Sequence, residues 1–436
     1  MNATAAPLNF ENVSESRRTP FPMRIPQLDG LRGIAVLLVV LYHYLLLVRF
    51  APGGFWSRIQ DSVRLGWCGV DLFFVLSGFL IGGILLDARE SPQYFRAFYL
   101  RRFYRILPLY YGWLGLYLVL ALGALAHLPA QIATAWPGWK PAVVYALFLQ
   151  NVVPKELRGI SASWLGPLWS LAVEEQFYLV IPLAIRFLTR KRIVQLLIAT
   201  ILLAPLVRLI VYAWIPSQTA RYVATPCRAD ALAMGVLLAV AMRDERWKAR
   251  LAINLRYLYP IAIALFGGVV YLGGWAPAID GRAEALWGFS CIDAFFALVV
   301  LIVLARPQGW CSSLCRKTAL RRIGGVSYCI YVVHLAVVEL CRAAVNSRYK
   351  TARVNADVIA VLIAAAVTGI VAKLSWRFLE SPMVRRGHAH EYWEPIFSRS
   401  ANFEPGYEGL LRKALAVDRS SQRCYAPGRC PPHTQI

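Results

Sequence analysis

Gly33-Ile-Ala-Val-Leu-Leu-Val-Val-Leu-Tyr-His-Tyr-Leu-Leu-Leu-Val48 is an apolar run that, with its neighbours, is long enough to cross a bilayer as a helix. It carries one group that can change charge near neutral pH, His43, and Arg32 stands at its mouth. Holding an ionisable side chain in hydrocarbon is costly, so His43 is a functional-site candidate; its other reading is a core histidine bonded to a neighbouring helix. Arg32 and His43 are eleven residues apart, about three helical turns. Their side chains therefore point the same way, about 16 Å apart along the axis. One can hold an anion at the membrane surface while the other works on something threaded to mid-depth.

Working outward, the pattern repeats. The chain has 436 residues, is 58% hydrophobic, and has a mean hydropathy of +0.50. Long apolar segments recur from residue 33 to about 375, which predicts a polytopic, all-α membrane protein: a bundle of about ten transmembrane helices. The spans are expected near 33–49, 69–86, 106–126, 165–185, 193–215, 229–242, 257–275, 287–305, 323–341 and 356–375. The first apolar run lacks a leader-type cleavage pattern and is expected to stay as a helix. The short apolar run 142–153 is expected to be re-entrant or to lie on the outer surface. With that choice, 32 of the 47 Lys and Arg fall in segments on one face. The positive-inside rule makes that face, and both termini, cytoplasmic. The outer loop 342–355, with four basic residues, runs against the trend. The domains follow: a cytoplasmic arm over 1–32, the membrane domain over 33–375, and a cytoplasmic, partly disordered tail over 376–436.

The formal net charge is +23. Its basic residues are interspersed between apolar runs rather than gathered on one arm, which argues against nucleic acid as a partner. Gly78 and Gly82 have small-xxx-small spacing that lets helices approach closely. Trp67, Trp164, Trp214, Trp275 and Trp376 sit near span ends as interfacial anchors. Neither Cys311/Cys315 nor Cys424/Cys430 matches a zinc or redox spacing, and no metal is expected. The sequons at Asn2 and Asn12 fall in the cytoplasmic arm and read as chance.

Four features can carry chemistry with His43. First, Arg101-Arg102-Phe-Tyr-Arg105 leads into the third span, with Arg102 and Arg105 three apart on one face. Guanidinium forks suit phosphate oxygens, so this pair with Arg32 fits a polyphosphate ligand, or else only enforces orientation. Second, Glu174 and Glu175 are adjacent carboxylates within a span, expected at the depth of His43, where one of them orients the imidazole; the alternative is pairing with Arg208 or another basic group. Third, Ser327, Tyr331 and His334 are spaced i, i+4, i+7 on one polar stripe, with His334 near the midplane; taken alone, this histidine reads as a satisfied core residue. Fourth, Asp71 and Arg228/Asp230 are placed to line the outer entrance or to form ion pairs.

These blocks, in order, resemble the type 3 membrane acyltransferases, the group of O-antigen, exopolysaccharide and nodulation-factor acylating proteins. They are Pro26-Gln-Leu-Asp-Gly-Leu-Arg-Gly-Ile-Ala-Val36 with Tyr42-His43, Gly69-Val-Asp-Leu-Phe-Phe-Val-Leu-Ser-Gly-Phe-Leu-Ile81, Arg102-x-x-Arg105, Trp169-Ser-Leu-Ala-Val-Glu-Glu-Gln-Phe-Tyr178, Arg228-Ala-Asp-Ala-Leu-Ala-Met-Gly235, Ser327-Tyr328 through His334, and Phe378-Leu-Glu-Ser-Pro382. The family's Arg-x10-His motif falls on Arg32 and His43, and its Arg-x-x-Arg motif on Arg102 and Arg105. Some relatives carry an appended extracytoplasmic esterase-like domain; this sequence shows none, so no handover to a second built-in domain is expected.

The resemblance implies an acyl-CoA-dependent O-acyltransferase of a bacterial cell membrane. The donor, most simply acetyl-CoA, is a substrate held through its phosphates by Arg32, Arg102 and Arg105, and no permanent cofactor is implied. The partners are the lipid bilayer and an extracytoplasmic hydroxyl acceptor, a sugar of a polysaccharide or glycolipid; the outer-loop Trp136, Trp139 and Trp164 suit a sugar and equally suit a membrane interface. His43 acts as general base or briefly accepts the acyl group, with Glu174 or Glu175 orienting it. The rival is a proton-coupled transporter using the same buried His and Glu groups without covalent chemistry. A sensor or scaffold ranks last, since it has no need of buried ionisable groups.

Overall fold

A computed structural model describes residues 25–50, 52–121, 140–153, 164–215, 218–273, 284–346 and 353–392. The sequons at Asn2 and Asn12, Trp136, Trp139, Trp275, and Cys424 with Cys430 lie outside the described residues. The helices are α1 (Pro26–Leu46), α2 (Phe55–Ser62), α3 (Gly69–Asp87), α4 (Tyr94–Ala121), α5 (Lys140–Ala146), α6 (Trp169–Phe187), α7 (Arg190–Trp214), α8 (Gln218–Val223) and α9 (Thr225–Ala241). They continue as α10 (Glu245–Asn254), α11 (Leu258–Gly273), α12 (Phe289–Ala305), α13 (Trp310–Cys315), α14 (Thr318–Gly325), α15 (Ser327–Asn346), α16 (Arg353–Ser375) and α17 (Ser381–His388). No strand occurs among the described residues. Residues up to His390 form one unit; the chain from Glu391 belongs to a second, of which only Glu391 and Tyr392 are described.

Nine helical segments among the described residues are long and apolar enough to cross a membrane. They coincide with nine of the ten expected spans, and the remaining one, 106–126, falls on α4. That helix has 28 residues and ample length, but Arg96, Arg101, Arg102 and Arg105 occupy its first half, so it is the least apolar of the set. Exposed side chains such as Leu202, Ile263 and Leu362 give α7, α11 and α16 apolar outer faces suited to lipid. The short run 142–153 does not cross. Its helix has seven residues, about 10 Å of rise against a hydrocarbon core of roughly 30 Å. The chain then reverses at Phe148, whose φ of 54° lies in the left-handed region, and its carbonyl accepts from Gln176 Nε2 at 2.8 Å.

Two boundaries differ from expectation. The first helix begins at Pro26, with proline in its first turn, so the Asp29-Gly-Leu-Arg-Gly33 motif is already helical. Residues 376–388, expected in the tail, are helical and pack on α4. Arg101 Nε donates to the His390 carbonyl at 2.7 Å, and Gly387 sits against Arg101 and Tyr104. The apolar run ends at residue 375, but the helix continues because its polar continuation has α4 to pack against.

Close approaches at glycine set how the helices are rotated. A Cβ on Gly78 would overlap the Leu232 carbonyl of α9, and one on Gly235 the Val75 carbonyl of α3, so the two helices meet backbone to backbone. Beside that contact lies a buried ionic cluster. Arg228 pairs with Asp71, and Arg208 with Asp230 at 3.0 Å, all four fully buried. Ser290 Oγ donates to Asp230 at 2.7 Å, and Arg228 packs 4.5 Å from the Phe289 ring.

Candidate active site

Two cavities lie end to end among α1, α3, α6 and α15. The first, about 280 Å³, is lined by Arg32 of α1, Arg102 and Arg105 of α4, Ser77 of α3, Glu174 and Tyr178 of α6, and Ser327 of α15. The second, about 270 Å³, is lined by His43, Tyr42, Trp67, Trp169, Tyr222 and His334. Val70 and Tyr331 line both, and they are the wall between the two spaces. Among the described lining residues, the first cavity holds three guanidiniums against Glu174 and Asp29, and the second holds no carboxylate, lysine or arginine.

The placement of Arg32 and His43 follows from α1 alone. Eleven residues of regular helix set both side chains on one face, so one helix feeds both cavities. Gly30 and Gly33 lie on another face, where a Cβ would strike the carbonyls of Cys315 and Leu320. These glycines seat α13 and α14 against α1, and the arginine is left facing the cavity. The stripe on α15 works the same way. Ser327 reaches the first cavity, Tyr331 stands in the wall, and His334 lines the second, in the order of their positions along the helix. Tyr94 Oη donates to the Pro182 carbonyl at 3.0 Å, tying α4 to α6 and bringing Arg102 and Arg105 to the side of Glu174. Arg102 lies 5.8 Å from the Tyr178 ring, and Tyr178 is hydrogen-bonded to Ser77. The Nε of Arg32 is buried without a hydrogen-bond partner.

In the second cavity His43 is half-buried. Its Nδ1 lies 2.9 Å from the Val39 carbonyl and 3.2 Å from Nε2 of His334. His334 is fully buried, with Nδ1 2.7 Å from the Tyr331 carbonyl. Tyr44 Oη donates to the His334 carbonyl at 3.2 Å and bonds to Thr368 Oγ1 at 2.8 Å, which ties α1, α15 and α16 together at this level. The Tyr331 hydroxyl is bonded to Ser170 Oγ at 2.7 Å.

The carboxylates and tryptophans compare with expectation as follows. Glu174 does not meet His43: it shares the first cavity with the arginines, and the wall of Val70 and Tyr331 intervenes. Depth along the bilayer put the two at one height, but α6 is rotated so that Glu174 faces α3 and α4. Glu175 lines neither cavity, and its Oε1 is buried without a partner. Of the two readings of Asp71, Arg228 and Asp230, the structure shows the ion pairs, fully buried as described above, with Arg208 as the partner of Asp230. Trp67, expected as an interfacial anchor, is 8% exposed and lines the His43 cavity. Trp164 stacks on Trp113 at 5.3 Å, whereas Trp214 is 82% exposed, as a lipid-facing anchor should be.

The sequence reading missed Val70, Ser77, Trp169, Tyr178 and Tyr222 as lining residues. Four of them lie inside the quoted motifs. An apolar or aromatic residue carries no individual signal of lining a cavity, so only packing singles it out. Glu380, from Phe378-Leu-Glu-Ser-Pro382, is 6% exposed, accepts from Ser375 at 2.9 Å, and is electrostatically coupled to Arg105 and Arg32.

A family model described as an acyltransferase domain matches residues 25–375. Among curated relatives, the peptidoglycan O-acetyltransferase OatA of Listeria monocytogenes is 26% identical over 409 residues, covering 83% of this chain and 56% of the relative. The O-acetyltransferase OatA of Staphylococcus aureus is 28% identical over 381 residues, covering 84% and 58%. The chain thus spans a little over half the length of these relatives. No solved structure matches it. The stretch the family model covers contains both cavities and every residue of the arginine and histidine groups, and on that match the chain belongs to the type 3 acyltransferase family.

Proposed function

We propose that this protein is a multi-pass O-acyltransferase of a bacterial membrane that moves an acetyl group from cytoplasmic acyl-CoA to a carbohydrate hydroxyl on the opposite side. The observation that carries this reading is the meeting of an arginine-lined cavity and a histidine-lined cavity at Val70 and Tyr331. Arg32, Arg102 and Arg105 supply the forked donors that phosphate oxygens fit, and the unpartnered Nε of Arg32 is a buried donor that an anion would satisfy. A space of about 280 Å³ suits the pantetheine arm with its acyl end, leaving the nucleotide at the arginine mouth. The aromatic walls of the second cavity, Trp67, Trp169 and Tyr222, suit the apolar face of a sugar ring. The name of the Listeria relative points to peptidoglycan as the acceptor. The face bearing Arg32, Arg102 and the loop 306–322 is cytoplasmic, by the distribution of Lys and Arg.

In the transfer, His43 takes the proton of the acceptor hydroxyl as that oxygen attacks the thioester carbonyl carbon. The C–O bond forms, the tetrahedral centre collapses, the C–S bond breaks, and the leaving thiolate recovers the proton from the imidazole. Tyr331, anchored by Ser170, stands where the thioester must pass. The test is transfer of radiolabel from acetyl-CoA to peptidoglycan fragments by the purified protein in lipid. His43→Ala should lower turnover by about 10² to 10⁴-fold while donor binding is retained. A variant with full activity would remove the base from the scheme.

A further inference from the structure

Resting on that reading, we infer that His334 is the positioning residue for His43: as a neutral acceptor it holds the His43 imidazole with Nδ1 protonated and Nε2 free to act as the base. The argument is one of hydrogen-bond accounting. A neutral imidazole has one N–H and one lone pair, so each short contact must match a donor with an acceptor. Nδ1 of His334 lies 2.7 Å from the Tyr331 carbonyl, which can only accept, so this nitrogen carries the proton. Nε2 of His334 is then a lone pair, and it faces Nδ1 of His43 at 3.2 Å. That nitrogen also faces the Val39 carbonyl at 2.9 Å, again an acceptor, so it must be N–H, shared between the two. The opposite tautomers would set lone pair against carbonyl at both Tyr331 and Val39.

Every polar atom of the pair is then accounted for except Nε2 of His43, which is left with its lone pair in a ring that lines the second cavity. When His43 takes up the hydroxyl proton at Nε2, its Nδ1–H turns into a stronger donor, and the Nε2 lone pair of His334 is there to receive it. An aspartate commonly fills this position beside a catalytic histidine. Here no carboxylate lines the cavity among the described residues, and the expected Glu174 belongs to the other chamber. Tyr44, bonded to the His334 carbonyl, fixes α15 in register with α1 at this point.

Side-chain isosterism supplies a test that separates orientation from mere packing. Gln at 334 places an amide oxygen near the position of the histidine Nε2 and keeps the acceptor for His43. Asn reaches only to the position of Nδ1 and keeps the bond to the Tyr331 carbonyl. With radiolabelled acetyl-CoA and peptidoglycan fragments, His334→Leu and His334→Asn should each lower kcat about a hundredfold, with both KM values changed less than about twofold; His334→Gln should recover most of the loss. Asn at wild-type rate, or Gln as slow as Leu, overturns the proposal and leaves the role of His43, tested by His43→Ala, standing. A second measurement does not depend on turnover. In full-length protein labelled with ¹⁵N-histidine, the signal lost in His43→Ala should show Nδ1 protonated and Nε2 unprotonated, and Nδ1 should lose its coupling to the second ring in His334→Leu. The reverse tautomer, or no change on removing the second ring, overturns the proposal.

Discussion

At the scale of single residues, the division of polar groups between two chambers sorts their expected effects. Arg32 and Arg102 line the first cavity, away from the imidazole, so their loss should weaken donor binding rather than slow the chemistry. Replacing either by Ala should raise the donor KM about tenfold to a hundredfold, the equivalent of one charge-assisted hydrogen bond, with a smaller change in kcat. Glu174→Gln discriminates between its two placements. Beside the arginines, its loss should change donor KM; beside His43 it would have changed kcat. Titrating donor concentration at saturating acceptor reads the difference directly. In the second cavity, Trp169→Ala should raise the acceptor KM and spare the donor KM, since Trp169 lines only that chamber.

At the scale of elements, α3 is where the chambers and the packing meet. Its first turn carries Val70, in the wall between the two spaces, and its middle carries Gly78, pressed against α9. Val70→Phe should fill the junction and abolish transfer, while CoA binding measured by equilibrium titration stays within about threefold of wild type. Loss of CoA binding in that variant would place the junction on the donor path itself. Gly78→Leu acts differently: it drives side-chain atoms into the Leu232 backbone, and the helices must separate. A destabilisation of about 1–3 kcal/mol or more is expected, read as a lower midpoint of thermal unfolding in detergent. The stripe on α15 joins the same two levels, because Ser327, Tyr331 and His334 climb one face from the arginine chamber to the histidine pair.

At the scale of the whole molecule, charge is used in two ways. Lys and Arg outside the spans are proposed to set direction, whereas Arg208 and Arg228 inside them hold helices together through fully buried pairs. Asp71→Ala should lower the unfolding midpoint, because it removes the hydrogen-bonded partner of the buried Arg228 guanidinium; Asp230 and Asp293 still face that charge, so the cost should stay below the roughly 3–5 kcal/mol of a fully uncompensated buried ion. Direction is tested by labelling. Lys317, exposed in the loop between α13 and α14, should, as Lys317→Cys, escape an impermeant maleimide in intact cells and react once the membrane is opened. Much of this molecule is legible in the chain alone. Apolar run length placed the spans, the failure of 142–153 to cross followed from its shortness, and the eleven-residue separation put Arg32 and His43 on one face. Each of these depends only on the geometry of a single helix, which is the same wherever that helix sits. What the chain alone did not decide is which groups at one height meet: Glu174 with the arginines, His334 with His43, Asp71 with Arg228. Height follows from counting residues. The rotation of each helix about its own axis is set by contacts with its neighbours, above all the glycine approaches at Gly30, Gly33, Gly78 and Gly235, and those contacts exist only once the bundle is assembled.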